Sequence, residues 1–269
     1  MVKLNEFPVE VSEQVSKALD LLCAQLHGNI KAIYLYGSSI DGGLKPNSDI
    51  DLFVILNQPL SEVTRQSLLK SMLTISSLVE AKSRLRPLEV TMVTYSEIVP
   101  WHFPPKRELQ FGEWLRQDIN SEVFELPKED PDLAILLTKI RKNSLDLFGP
   151  AALEILDPIP KIHFVKALIK TLDLWNSEKE ILGDELPITL TTARIWYSAS
   201  TGDIAPKDFA AEWLLSKVPS RYQDLLLKAR EGYLGANKDL FDVKADRVMD
   251  FVSHAKIEIK SILEEKNEN

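Results

Sequence analysis

The sequence predicts a mixed α/β N-terminal domain with a small central sheet, followed by an all-α C-terminal domain built as a helical bundle. Three observations lead there. Runs rich in β-branched and aromatic residues occur at 31–37, 49–56 and 88–95, with helical periodicity before the first and between the second and third. No strand pattern follows Gly149. Between the two regimes lies the proline-bearing polar stretch DPIPKI, residues 157–162, which puts the boundary at domains 1–157 and 158–269.

Taken in order, Val9, Val11, Val15, Ala18, Leu19, Leu22 and Leu26 recur at helical spacing and predict a helix over 9–27. KAIYLYG reads as a strand running into a loop at Gly37, and GGLKPNS is turn-rich. DIDLFVIL is a second strand. SEVTRQSLLKSMLTISSLV is helical, with Ser61 as its cap. LEVTMVTY is a third strand. Prolines make the start of PWHFPPKRELQFGEWLRQDI irregular, and a helix is predicted from near Lys106. A further helix covers 131–147, and helical runs follow near 161–180, 186–200, 206–216, 221–233 and 239–264.

Bulk properties narrow the function. With 40 acidic against 32 basic residues and a net charge of −8, a general nucleic-acid binder is disfavoured, and a small cationic ligand suits the chain better. The single cysteine, Cys23, cannot form an internal disulfide, which suits a reducing cytoplasm. The N-terminal MVKLNEFPVEVSEQV has no apolar leader, and no apolar stretch approaches the roughly 20 residues needed to cross a bilayer. The expectation is a cytoplasmic protein that engages neither membrane nor nucleic acid, with a monomer as the default. The histidines show no metal-ligand spacing.

The chemistry concentrates in LYGSSIDGGLKPNSDIDLFVIL. Residues i and i+2 of a strand share a face, so Asp49 and Asp51 lie side by side while Ile50 and Leu52 point to the core. Two adjacent carboxylates repel, and a divalent cation removes the conflict. Magnesium is held by one or two carboxylates and completes its shell with water and phosphate oxygens. Upstream, Gly37 lets backbone N–H groups approach an anion, and Ser38 adds a hydroxyl donor. Ser48 is a further phosphate donor candidate.

This stretch, YGSSIDGGLKPNSDIDLFV, resembles the nucleotidyltransferase superfamily, with its glycine-serine loop and D-x-D pair followed by a third carboxylate on a later strand. RPLEVTMV, VPWHFPPKRELQFGEWLR, LWNSEKE, GDE, LTTARIWYSASTGDIAPKDFAAEW and AREGYLG narrow the resemblance to the aminoglycoside (3'')(9)-O-adenylyltransferases, over roughly residues 30–235. The resemblance implies a nucleotidyltransferase fold for the N-terminal domain. It also implies transfer of AMP from ATP to a hydroxyl of spectinomycin or streptomycin, with pyrophosphate released.

What the resemblance implies of single residues is specific. Asp49 and Asp51 hold magnesium, with two ions expected. Glu89, in LEVTMV, is the general base that takes the proton of the sugar hydroxyl; the residues alone leave open a role as third metal ligand. Gly37, Ser38 and Ser48 meet the ATP phosphates, and Arg194, Lys207 and Tyr233 match positions near the nucleotide. Pro206 starts a helix, so an anion at that N-terminus would benefit from both the dipole and Lys207. Trp114, Trp175, Glu180 and Asp184 match drug-contact positions, and carboxylates and aromatic faces suit a cationic antibiotic. Trp175 and Glu180, five residues apart, would stand about 140° from each other on a helix, so they share a ligand only if it is large or the helix ends there. In dual-specificity members a Trp and an Asp at the corresponding places serve streptomycin. Here Glu180 replaces the Asp, so spectinomycin is the safer substrate. The alternatives are a spectinomycin-only enzyme, a nucleotidyltransferase for another small molecule, a protein or RNA, and a nucleotide sensor without chemistry.

Overall fold

In a computed structural model, which describes residues 7–78, 83–235 and 242–268 (side chains to 265), the chain divides into two units, Met1–Pro160 and Lys161–Asn269. The first unit runs α1 (Val9–Leu26), β1 (Ile30–Tyr36), β2 (Ile50–Leu56), α2 (Glu62–Met72), β3 (Leu88–Thr94), β4 (Lys106–Arg107), β5 (Leu109–Phe111), α3 (Arg116–Asn120), β6 (Lys128–Glu129), α4 (Leu133–Lys142), β7 (Leu145–Phe148) and α5 (Ala152–Ile155). One mixed sheet has the order β5-β3-β2-β1-β7. Its centre is the parallel pair β2–β3, and β1, β5 and β7 pair antiparallel. β4 and β6 form a separate two-stranded ribbon.

The alternation of the strands distributes the core. Ile33, Leu35, Ile50, Leu52, Val54, Leu88 and Val90 pack with Val15 and Leu22 of α1 and Leu68 and Met72 of α2. The opposite face, carrying Tyr34, Tyr36, Phe53, Ile55 and Val93, packs with Leu133, Leu137 and Ile140 of α4. Both faces are covered, which is why the central strands read as nearly continuous apolar runs.

In this first unit three expectations are corrected. No helix begins near Lys106: residues 106–111 are β4 and β5, because Leu109 and Phe111 bury against the sheet and β5 pairs with Met92 and Val90 of β3. The helix over 131–147 stops at Lys142, and Leu145–Phe148 becomes an edge strand on β1. The helix from Ser61 is shorter than its periodicity suggests and ends at Met72, although Ser61 caps it as expected, accepting the Thr64 N–H at 3.1 Å.

The second unit is helical: α6 (Lys161–Leu172), α7 (Glu185–Thr201), α8 (Lys207–Leu215), α9 (Ser220–Leu234) and α10 (Ala245–Glu268). α7 is its centre and packs against α6, α8, α9 and α10, with Leu190, Ala193 and Trp196 buried. The run expected over 161–180 ends as a helix at Leu172 and resumes as a short 3₁₀ turn, Glu178–Glu180. Of the run expected from 239, residues 239–241 lie outside the described residues. Among the described residues no helix is long and apolar enough to cross a membrane.

A buried ion pair ties α2 to the residue between β4 and β5. Arg65 Nη2 lies 2.6 Å from Glu108 Oε1, with side chains only 7 % and 6 % exposed, and the same oxygen accepts the Leu60 N–H at 2.9 Å. Glu108→Ala leaves a guanidinium buried without its carboxylate. A stability loss of about 3–5 kcal/mol is expected in urea unfolding, and a smaller loss for the double change Arg65→Met with Glu108→Leu.

Candidate active site

Asp51 and Glu89 are each the second residue of their strand, and β2–β3 pairing sets them directly opposite one another. Both are half-buried, whereas Ile50, Leu52, Leu88 and Val90 beside them are at most 1 % exposed. Asp49 immediately precedes β2, on the Asp51 side by alternation. Across β1, Tyr36 is the register partner of Asp51. Its phenol titrates well above the ordinary range: burial pushes it up first, and the Glu89 and Asp51 carboxylates add to this, with Asp49 a smaller contributor. A hydrogen bond with Thr91 acts the other way. The register thus brings Asp51 and Glu89 together, with Asp49 two residues before Asp51 on the chain.

The glycine-serine loop lies against this cluster. Gly37–Ser39 is a 3₁₀ turn, and Gly37 has φ +73°. A Cβ at Gly37 would fall on Asp51 Oδ2, so both the backbone conformation and the neighbouring carboxylate require glycine. Ser38 is half-exposed on this turn. Ser48 closes the following turn, its Oγ accepting the Lys45 N–H at 2.9 Å, which leaves its own proton for another acceptor.

Sequence reasoning passed over the residues that hold this turn. Arg86 Nη1 donates to the carbonyls of Lys45 and Ser48, both at 2.9 Å. Arg86 is itself held by the buried Gln14, which accepts the Arg86 N–H at 3.0 Å and donates to its carbonyl at 2.8 Å. The segment that delivers Asp49 to β2 is therefore clamped from the residue pair leading into β3. An arginine three residues ahead of a strand carboxylate looks in sequence like any surface cation.

Trp114 is 60 % exposed on the 3₁₀ turn Glu113–Leu115, its indole lying over Gly112, where a Cβ would overlap the ring. Glu113 anchors the turn. Burial pushes its carboxyl up, but hydrogen bonds from Arg116 Nε, at 2.6 Å, and Ser76 outweigh this and hold it below the usual range.

In the second unit, Lys207 is the first residue of α8 and its Nζ lies 5.7 Å from the Tyr233 ring centroid, a cation–π distance. Pro206 is the N-cap, one place ahead of the first helical position. Arg194 is half-buried on α7, and Asp184 is exposed at the α7 N-cap. Because α6 ends at Leu172, Trp175 and Glu180 do not share a helix. Glu180 Oε2 accepts the N–H groups of Asn176 and Ser177 at 2.6 and 3.0 Å in a capping box, and the Asn176 bond in particular lowers its pKa. Lys256 Nζ, also missed in sequence, donates to the Trp175 carbonyl at 2.7 Å and Asn176 Oδ1 at 2.9 Å.

Among the described residues no group of three or more His, Cys, Asp or Glu is arranged to hold a metal. Asp49 and Asp51 fit a cation that brings most of its ligands with it, as water and phosphate oxygens.

Residues 15–111 match the model of the nucleotidyltransferase domain, and residues 154–258 match the C-terminal domain of aminoglycoside adenylyltransferase. The chain is 47 % identical over 254 residues to an aminoglycoside (3'')(9) adenylyltransferase of Escherichia coli, covering 94 % of this chain and 97 % of that one. The chain belongs to the aminoglycoside adenylyltransferase family. Within that family it is 38 % identical to a spectinomycin 9-adenylyltransferase of Staphylococcus aureus, over 94 % of this chain and 97 % of that one. The crystal structure of a spectinomycin adenyltransferase from Enterococcus faecialis, with ATP and spectinomycin, superposes with a TM-score of 0.86 at 28 % identity, covering 91 % of this chain and 98 % of that one. As an adenylyltransferase family member, the chain is an enzyme of the nucleotidyltransferase class.

Gly37→Ala is expected to lose about 2–3 kcal/mol or more in urea unfolding, since the backbone is strained and the Asp51 carboxylate must move. Gly43, at φ +77° with open space where a methyl group would stand, supplies the control. Gly43→Ala carries backbone strain without the clash and is expected to lose only about 1–2 kcal/mol.

Proposed function

We propose that this enzyme transfers AMP from ATP to a hydroxyl of spectinomycin, and of streptomycin, in a magnesium-dependent reaction that releases pyrophosphate and so confers antibiotic resistance. The observation that carries this reading is the in-register Asp51–Glu89 pair with the Gly37 turn packed onto it.

In this reading Asp49 and Asp51 hold magnesium, two ions being proposed. The metal supplies charge neutralisation at the phosphates. The backbone N–H groups at Gly37 and the hydroxyls of Ser38 and Ser48 bind phosphate oxygens, Lys207 adds positive charge at the triphosphate, and Arg194 and Tyr233 bind the nucleotide. Glu89 accepts the proton of the drug hydroxyl. The freed oxygen attacks the α-phosphorus in line, and the bond to pyrophosphate breaks, with no covalent enzyme intermediate needed. Trp114, Trp175, Glu180 and Asp184 bind the cationic antibiotic. The enzyme acts as a cytoplasmic monomer, with residues 1–157 as the nucleotidyltransferase domain and 158–269 as the helical domain.

A spectinomycin-only activity is the second reading. It is favoured by Glu180, whose carboxylate is taken up by the N–H groups of Asn176 and Ser177. Pyrophosphate release from ATP and magnesium with each drug separates the readings, and release with neither removes both. With spectinomycin, EDTA is expected to stop turnover. Glu89→Gln is expected to lower kcat by about 10²–10⁴-fold with ATP affinity within about twofold, the size of a lost general base. Turnover at the wild-type rate in that variant removes Glu89 as the base.

A further inference from the structure

We propose that Gln110 is a positioning residue that aims the Glu89 carboxylate, and that Thr91 and Arg107 fix the orientation in which it does so. The inference rests on Glu89 being the base. Gln110 is in the middle of β5, opposite Thr91 of β3, and is 9 % exposed. Its Nε2 donates to Glu89 Oε1 at 3.2 Å. Its Oε1 accepts two hydrogen bonds, from the Thr91 hydroxyl at 3.0 Å and from Arg107 Nη1 at 3.3 Å.

Arg107 on one side and the Glu89 carboxylate on the other decide which way the amide faces. Turned over, the amide would set its NH₂ against a guanidinium and its oxygen against a carboxylate, losing the Arg107 and Glu89 hydrogen bonds and keeping only a reversed bond to the Thr91 hydroxyl. Arg107 cannot easily swing away, because Asp130 Oδ2 holds the same Nη1 at 2.7 Å and Glu125 meets Nη2 at 3.4 Å. Its backbone is part of the β4–β6 ribbon, paired with Lys128. Thr91 is 2 % exposed. A rigid chain therefore runs from the ribbon through Arg107 and Gln110 to one oxygen of Glu89.

The placement has a chemical consequence. A base must present a chosen lone pair to the hydroxyl it deprotonates, within about 2.6–3.2 Å. Side-chain rotation at Glu89 would blur that geometry, all the more beside the like charge of Asp51. A donor fixed to Oε1 restrains the rotation and sets where the lone pairs of the carboxylate point.

The test is a double-mutant cycle followed with radiolabelled ATP, magnesium and spectinomycin, with thermal unfolding and ATP calorimetry run on every variant. Gln110→Leu is expected to lower kcat by about 10- to 100-fold with ATP affinity unchanged, the scale of a displaced reacting group. Gln110→Glu keeps the partners of Oε1 but replaces the donor by an oxygen, and is expected to lose at least as much. In the Glu89→Gln background the slow residual rate is expected to change by less than about twofold on adding Gln110→Leu, because the residue acts only through the base. Equal losses in both backgrounds, or wild-type kcat in Gln110→Glu, overturn the inference while leaving Glu89 as the base. Wild-type turnover in Glu89→Gln alone overturns the base reading itself.

Discussion

The parallel pairing of β2 with β3 is the constraint on which the rest depends. It puts Asp51 and Glu89 side by side at the ends of two strands whose other residues are core. Two carboxylates at that spacing repel, and their surroundings are half-closed to water. The antiparallel partner β1 brings a buried phenol to the same cluster, whose ionisation the carboxylates oppose. The cluster is therefore a site of concentrated negative potential built on a rigid sheet, which suits a divalent cation and a cationic substrate.

Around this cluster, the loops are held by side chains that donate to backbone carbonyls or to carboxylates. Arg86 grips the turn before Asp49, Arg116 and Ser76 grip Glu113 beneath Trp114, and Gln110 reaches Glu89. In the second unit Lys256 does the same for the segment at Trp175. Each clamp is polar and only partly exposed, so its hydrogen bonds face little competition from water. The side chains on these turns are then held without belonging to a helix or strand.

Asp49, Asp51, Gly37 and Ser38 were legible because their signals are local. A glycine-serine turn after a strand and two acidic residues at strand alternation lie within fifteen residues of sequence. Glu89 was legible because a carboxylate interrupts an apolar strand. Gln14, Arg86, Gln110 and Lys256 were not, because their roles depend on partners tens of residues away: Gln14 meets Arg86 across 72 residues and Lys256 meets Trp175 across 81. Nothing in their own neighbourhoods distinguishes them from solvated polar residues. The misreading of RELQF as the start of a helix has the same origin. Its three-residue strand exists through pairing with β3, which overrides a local preference that is weak over so few residues.

The order of the long elements, the change from a sheet-bearing half to a helical half, and the acidic pair with its glycine-serine turn could be read from the sequence. These follow from periodicity and short-range turn chemistry, which a linear chain displays directly. The tertiary structure alone decided the register that sets Asp51 against Glu89, the edge strands β5 and β7, and the early end of α6. It also decided the hydrogen bonds by which Gln110 reaches Glu89 and Arg86 holds the turn before Asp49. Register and edge pairing are agreements between distant segments, settled by which faces bury together, and no single segment carries that information.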